Sequence, residues 1–193
     1  MRIDGVKPIQ SSFLSCEKDV ETILKKLFIE NRLASEDLKR LLLINTKNCL
    51  DDKDSQIINK TLVEKGSVSK LIEGGYIRQA PKIEMSEHED VKSYILISFD
   101  NFTPNASNPQ FRDCTITFDI ICHTDYWDLG NFRLRPLKIM GYIDGLLNDA
   151  KLSGIGTLNF MGANELILNH ELAGYTLMYR AIHGSDDLIP PEE

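Results

Sequence analysis

FRDCTITFDIICHT, residues 111–124, sets Cys114, Ile116, Phe118, Ile120 and Cys122 at every second position, with Thr115, Thr117, Asp119 and His123 between them. A period of two sends alternate side chains to opposite faces of a sheet. The segment therefore predicts a strand with one buried face and one wetter face. On its C-terminal side a polar, aromatic loop runs to Phe132, and Pro136 then marks the first turn of a helix, where a missing N–H costs nothing. Ile139, Met140, Ile143, Leu146, Leu147 and Ala150 form the apolar stripe of that helix. Gly154 and Gly156 end the connection. Short strands are expected over 157–161 and 164–169, about a turn at Gly162, and a last strand over 173–183. That last strand has apolar groups on both faces, so it is expected to be central or part of an interface. The acidic segment 185–193, with Pro190-Pro191, is expected to be a flexible tail.

On the N-terminal side, Lys82–Met85 and Tyr94–Phe99 read as strands joined by the acidic Ser86–Asp90. Residues 100–110, DNFTPNASNPQ, read as a loop longer than a hairpin needs. Earlier still the period changes to that of helices. Residues 17–30 carry Val20, Ile23, Leu24, Leu27 and Phe28 on one stripe. A second helix is expected to start at a Ser35 cap, with Leu38, Leu41 and Leu42 inward. A third, weaker helix is expected from a cap at Asp54 or Ser55 to Gly66, with a strand as the alternative that its β-branched content allows. The fold class that follows is α+β: an antiparallel or mixed sheet packed against a long helix, preceded by a small helical region. The divisions are 1–78 helical, 79–184 sheet domain and 185–193 tail.

The 193 residues carry 29 acidic against 22 basic groups, a net charge of −7, which speaks against a surface built to coat nucleic acid. Cys16, Cys49, Cys114 and Cys122 have no CxxC spacing. Cys114 and Cys122 would lie roughly 26 Å apart along one strand, too far to bridge or share a metal ion. Buried free thiols in a reducing compartment are expected. MRIDGVKPIQ has no apolar signal-like run, so a cytoplasmic product without membrane association is expected, and the sequons at Asn59, Asn101 and Asn105 carry no weight.

The densest polar cluster, Cys122 to Asp128, contains His123, Asp125 and Asp128, a set suited to a divalent-metal phosphodiesterase or nuclease. No distant ligand accompanies it, so a capped strand end is the plainer reading. Asp119 and His123 share a face but sit roughly 13 Å apart, beyond direct contact. Gly154-Ile-Gly156 follows a helix and precedes a strand, the reverse of a phosphate-binding loop. No nucleophile motif and no cofactor site emerge, and no enzyme is expected. Arg133, Arg135 and Lys138 form the one compact basic patch, suited to phosphate or, at least as well, to acidic loops of a neighbouring copy. Phe102, Phe111, Tyr126, Trp127 and Phe132 lie in or beside two loops flanking the same strand, a composition enriched at interfaces and equally consistent with rings tucked under their own loops. Phe102, Phe111, Trp127, Phe132, Arg133 and Arg135 are the expected contact residues.

Three segments, FRDCTITFDIICHTDYWDL at 111–129, RPLKIMGYIDGLLNDA at 135–150 and ELAGYTLMYRAIH at 171–183, occur in an order that resembles the tail terminator (tail completion) proteins of long-tailed bacteriophages and related neck proteins. The resemblance runs from Pro81 onward and is one of pattern, since that family has no catalytic motif. It implies a sheet packed on helices and subunits forming a ring, six copies by analogy, at the virion's head–tail junction. The partners it implies are further copies, the tail tube protein and a head-closure or neck protein, with DNA sliding through an acidic lumen unbound. The helices before the sheet exceed what compact members of that family carry.

Overall fold

The computed structural model describes residue 13 and residues 16–51, 55–79, 92–107, 111–152 and 155–183. The expected strand Lys82–Met85 and the expected tail 185–193 lie outside the described residues. Helix α1 (Cys16–Lys25) widens into a π-helical turn over Lys26–Glu30, and the predicted stripe of Val20, Ile23, Leu24, Leu27 and Phe28 is buried throughout. Helix α2 (Arg32–Leu43) starts earlier than a Ser35 cap would have it. Asn31 is its cap, its side chain accepting from the Ala34 N–H at 3.2 Å, and Ser35 lies buried one turn inside. Helix α3 (Gln56–Lys65) has the Ser55 cap and the Gly66 stop that the sequence predicts. A further short helix, α4 (Val68–Glu73), follows, capped by Ser67, at six residues too short to show a period in the sequence. Gly75, at φ 69°, turns the chain from α4 into the two-residue strand β1 (Ile77–Arg78).

Five strands form a mixed sheet in the order β1-β2-β3-β7-β6, with β2 at Ser93–Pro104, β3 at Arg112–His123, β6 at Asn159–Ile167 and β7 at Leu172–His183. β1 runs parallel to β2, and the other pairs are antiparallel. The alternating stretch is thus the middle strand: Phe118 faces Ile97 on one side and Leu177 on the other. β7 is an inner strand, as its two apolar faces predict.

Two expectations are corrected by bulges. The segment read as a loop from 100 continues as strand to Pro104, through a register shift between Asp100 and Thr103 with Asn101 at φ 55°. Gly162 is not a turn between two strands; it follows a register shift inside a continuous β6. A separate small hairpin, β4 (Lys151–Leu152) with β5 (Gly156–Thr157), fills the connection after helix α5 (Arg135–Leu147).

The helices cover one face of the sheet. Phe28, Leu38 and Leu41 from α1 and α2, Ile139, Ile143 and Leu147 from α5, and Ile97, Ile116, Phe118 and Tyr179 from the sheet make one continuous core. Hydroxyl groups tie the layers: Tyr179 donates to Asp144 at 2.8 Å and Tyr142 to Asp37 at 2.7 Å. Beside the carboxylate Asp144, and with burial as the larger cause, the Tyr179 hydroxyl is held far above the ordinary phenol range. The opposite face has a small apolar cluster of Tyr94, Leu96, Ile121 and Leu172, then a polar row in which Thr176 donates to Asp119. All four cysteines are free thiols. Cys49, Cys114 and Cys122 are buried, and burial pushes Cys122 up to about 11.

Beyond the bulge, Asn105 and Arg180 each donate to the Asp113 carboxylate at 2.8 Å, and these bonds hold it below the ordinary carboxylate range. Because the folded value is the depressed one, this stabilisation is present above the unfolded carboxyl value of about 4 and disappears as pH falls through the folded value. The urea midpoint should therefore drop more steeply between about pH 4 and pH 2 in the wild type than in Asp113→Asn. Parallel curves for the two proteins would show that these bonds add nothing.

Candidate contact surface around Phe132

After β3 the chain makes one 3₁₀ turn, Thr124–Tyr126, capped by the His123 ring, whose Nδ1 accepts from the Asp125 N–H at 3.3 Å. Trp127 then folds back: its indole N–H donates to the Cys122 carbonyl at 3.2 Å, and its ring lies 6.4 Å from that of Tyr175. An isolated bridge between Asp128 and Leu134 closes a tight loop. Within it Gly130, Asn131 and Phe132 have φ of 72°, 51° and 61°, three successive left-handed residues. That conformation costs roughly 1–2 kcal/mol for a residue with a side chain, so the loop must be held from outside.

It is held by charge. The Arg133 guanidinium grips Asp51 with two nitrogens, one at 2.9 Å, and also donates to the carbonyls of Leu129 and Gly130. Lys47 pairs with Asp128, whose other oxygen accepts from the Gly130 N–H at 2.7 Å. The Lys47 bond and then the Gly130 N–H keep Asp128 below the ordinary carboxylate range. Asp51 raises Arg133, so the guanidinium stays charged.

The outcome of this bracing is Phe132 at 106% exposure, its ring wholly in solvent. Beside it an open groove of about 550 Å³ runs along α5, lined by Arg133, Leu134, Leu137, Lys138, Gly141 and Tyr142. Leu137 is itself exposed, and nothing lies within 4 Å of where a Cβ on Gly141 would sit. An exposed aromatic beside a groove lined by both leucine and cationic side chains has the composition of an interface anchor. Since the Phe132 side chain is fully exposed, Phe132→Gly should relieve the left-handed strain and stabilise the monomer by about 1 kcal/mol in urea unfolding. A loss of stability would mean the ring is packed in solution.

The other expected contact residues are placed differently. Phe102 and Trp127 are partly buried against the core, with the Phe13 ring 4.9 Å from Phe102, and Phe111 is half-buried. Arg133 pairs within its own chain. Arg135 is a correction: it is fully buried, with its guanidinium bonded to backbone carbonyls, and cannot reach a neighbour. The metal set is not assembled either. His123 Nδ1 lies 3.7 Å from Asp125, whereas Asp128 is engaged by Lys47. No group of three metal-ligating side chains is gathered among the described residues.

Two surfaces escaped the sequence reading. β6 pairs only with β7 among the described residues, and Phe160, Met161 and Ile167 are 45%, 57% and 68% exposed along it. The signal was present in NFMGANELI, where Glu165 is the single charge and no proline guards the edge. The second is an apolar groove between α1 and α4, lined by Val20, Leu24, Ile29, Val68 and Ile72.

Fold and surface together define an α+β protein with a sheet shielded by helices on one face, a strand, β6, that pairs on one side alone among the described residues, and a displayed aromatic. The sequence profile of the YomW family matches residues 35–181, and the chain belongs to that family, which is phage-associated. No curated protein matches the chain. None of the helices among the described residues is long and apolar enough to cross a membrane.

Proposed function

We propose that the chain is a non-catalytic structural subunit of the phage head–tail junction, a tail terminator acting as a homo-oligomeric ring of six copies. Its action is steric. The ring buries the growing end of the tail tube, offers a new surface to the head-closure or neck protein, and lets DNA pass through an acidic lumen without binding it. Phe132 carries this reading: a bulky apolar ring stands fully in water on a left-handed loop held by two ion pairs, beside the exposed Leu137, an arrangement suited to a contact group. The phage-associated family supports it, as does β6, which among the described residues pairs with β7 alone and carries no proline, so that its outer edge can receive a neighbouring chain beyond the Phe160 N–H that Asn148 accepts. The net charge of −7 suits a surface past which DNA slides. The test is to label particles released from the phage with an antibody to the chain, and to image a phage lacking it. Label at the neck, with unjoined heads and tubes of uncontrolled length in the deletion, is the expected result. Particles of normal form without the protein would reject the assignment.

A further inference from the structure

A ring requires each subunit to carry two unlike surfaces that fit each other, because a head-to-tail contact can close on itself. Resting on the ring reading above, we propose that Phe132 of one copy seats in the groove between α1 and α4 of the next.

Size, polarity and charge agree. The groove, about 310 Å³, is roomy for one aromatic ring. Its floor is Val20 and Leu24, and its walls include Ile29 and Ile72, which are 59% and 40% exposed. Burying such walls releases water from apolar surface on both partners. The rim carries Glu17 and Glu21, the latter paired with Lys25 at 2.7 Å. Glu17 has no ion-pair partner among the described residues. On the Phe132 side, Arg133 is neutralised by Asp51, and Lys138 has no ion-pair partner among the described residues. Among the described residues, one cation without an ion-pair partner thus flanks the knob and one carboxylate without one flanks the hole. In a chain of net charge −7 copies repel in most orientations, so such a match selects this one.

The two surfaces share no residue. The knob sits at the start of α5, which packs on β3 and β7, whereas the groove ends at Gln79, just past β1 at the sheet's edge. A knob-to-knob dimer would instead bring Arg133 and Lys138 against their own copies. One ring buries about 150–250 Å², well under a standard interface of about 1,600 Å². Phe132 is therefore the anchor, with Leu137 and Ile72 closing around it, and a single contact is weak until the ring closes and each copy is held twice.

Crosslinking decides the matter, in the full chain carrying Cys16→Ser so that the native half-buried thiol takes no part. Phe132→Cys and Ile72→Cys are oxidised mildly at high protein concentration, each alone and then mixed. Disulfide-linked dimers in the mixture, and in neither protein alone, are expected. Separately, Lys138→Glu or Glu17→Lys should weaken self-association on the order of fivefold in sedimentation, and the double reversal should restore it. Phe132→Cys linking to itself would replace this contact with a two-fold one. Oligomers whose mixed cysteines never link, or a strict monomer at every concentration, would also overturn it. None of those results touches the position of the protein in the particle, which antibody labelling reads independently.

Discussion

Arg135→Ala should remove on the order of 4 kcal/mol of folding stability, a large part of the 5–15 kcal/mol a domain of this kind possesses. The Arg135 guanidinium is fully buried and donates to four carbonyls: Tyr126 at 2.8 Å, Leu41 at 2.6 Å, Ile44 at 2.9 Å and Thr46 at 3.0 Å. Leu41 belongs to the last turn of α2, whose unpaired carbonyls and macrodipole present negative potential. A cation there satisfies groups that helix geometry leaves unpaired, and it joins α2, the turn after β3 and α5 at one point. Truncation strands all four acceptors at once, each worth roughly 1 kcal/mol or more when buried. Water entering the cavity offsets only part of that. Arg135→Lys should recover less than half, because an ammonium lacks the planar fork that spans carbonyls on two sides. The check is the urea midpoint and slope of the three proteins. A loss below about 1 kcal/mol for alanine would mean that water substitutes freely for the guanidinium.

Arg135 also marks where sequence reading runs out. Arg133, Arg135 and Lys138 look alike in the sequence, three cations within one turn of a helix start. Their fates are an ion pair to Asp51, burial beneath α2 and exposure beside Phe132. What separates Arg135 from the others is the end of a helix more than ninety residues earlier, and no local period encodes that. The apolar stripes of α1 and α5 and the alternation of β3 were legible because sorting against water is local. Two misread segments, at 100–104 and at Gly162, have a common cause. A bulge inserts one residue, so the alternation changes phase while the hydrogen-bonded ladder continues. β1, at two residues, is too short to show a period at all. At the contact surface, the aromatic content of the loops was legible, but which ring stays in solvent was not. That depends on the left-handed turn at Gly130 to Phe132, held by Lys47 and Asp51 from a distant part of the chain.

Gly174→Ala should cost about 3 kcal/mol or more, although it adds a single methyl group. Gly174 lies within β7, opposite Ile121 of β3 and Leu166 of β6. A Cβ at that position falls 1.8 Å from the Ile120 carbonyl oxygen and 2.9 Å from its carbon, backbone atoms that cannot rotate aside. The methyl group fits only if β3 and β7 separate, which breaks the ladder at the middle strand of the sheet and opens the core that Ile120 and Leu177 share with α5. Glycine content alone is not the cause, and Gly145 shows why. It lies in α5 with nothing within 4 Å of the place a Cβ would take, so Gly145→Ala should raise stability by about 1 kcal/mol through helix propensity. Opposite signs at the two positions, read as shifts of the urea midpoint, would place the cost in the close approach of two strands. Gly174→Ala matching the wild type would instead require β3 and β7 to sit farther apart in solution, and with them the frame that positions the Phe132 loop at the end of β3.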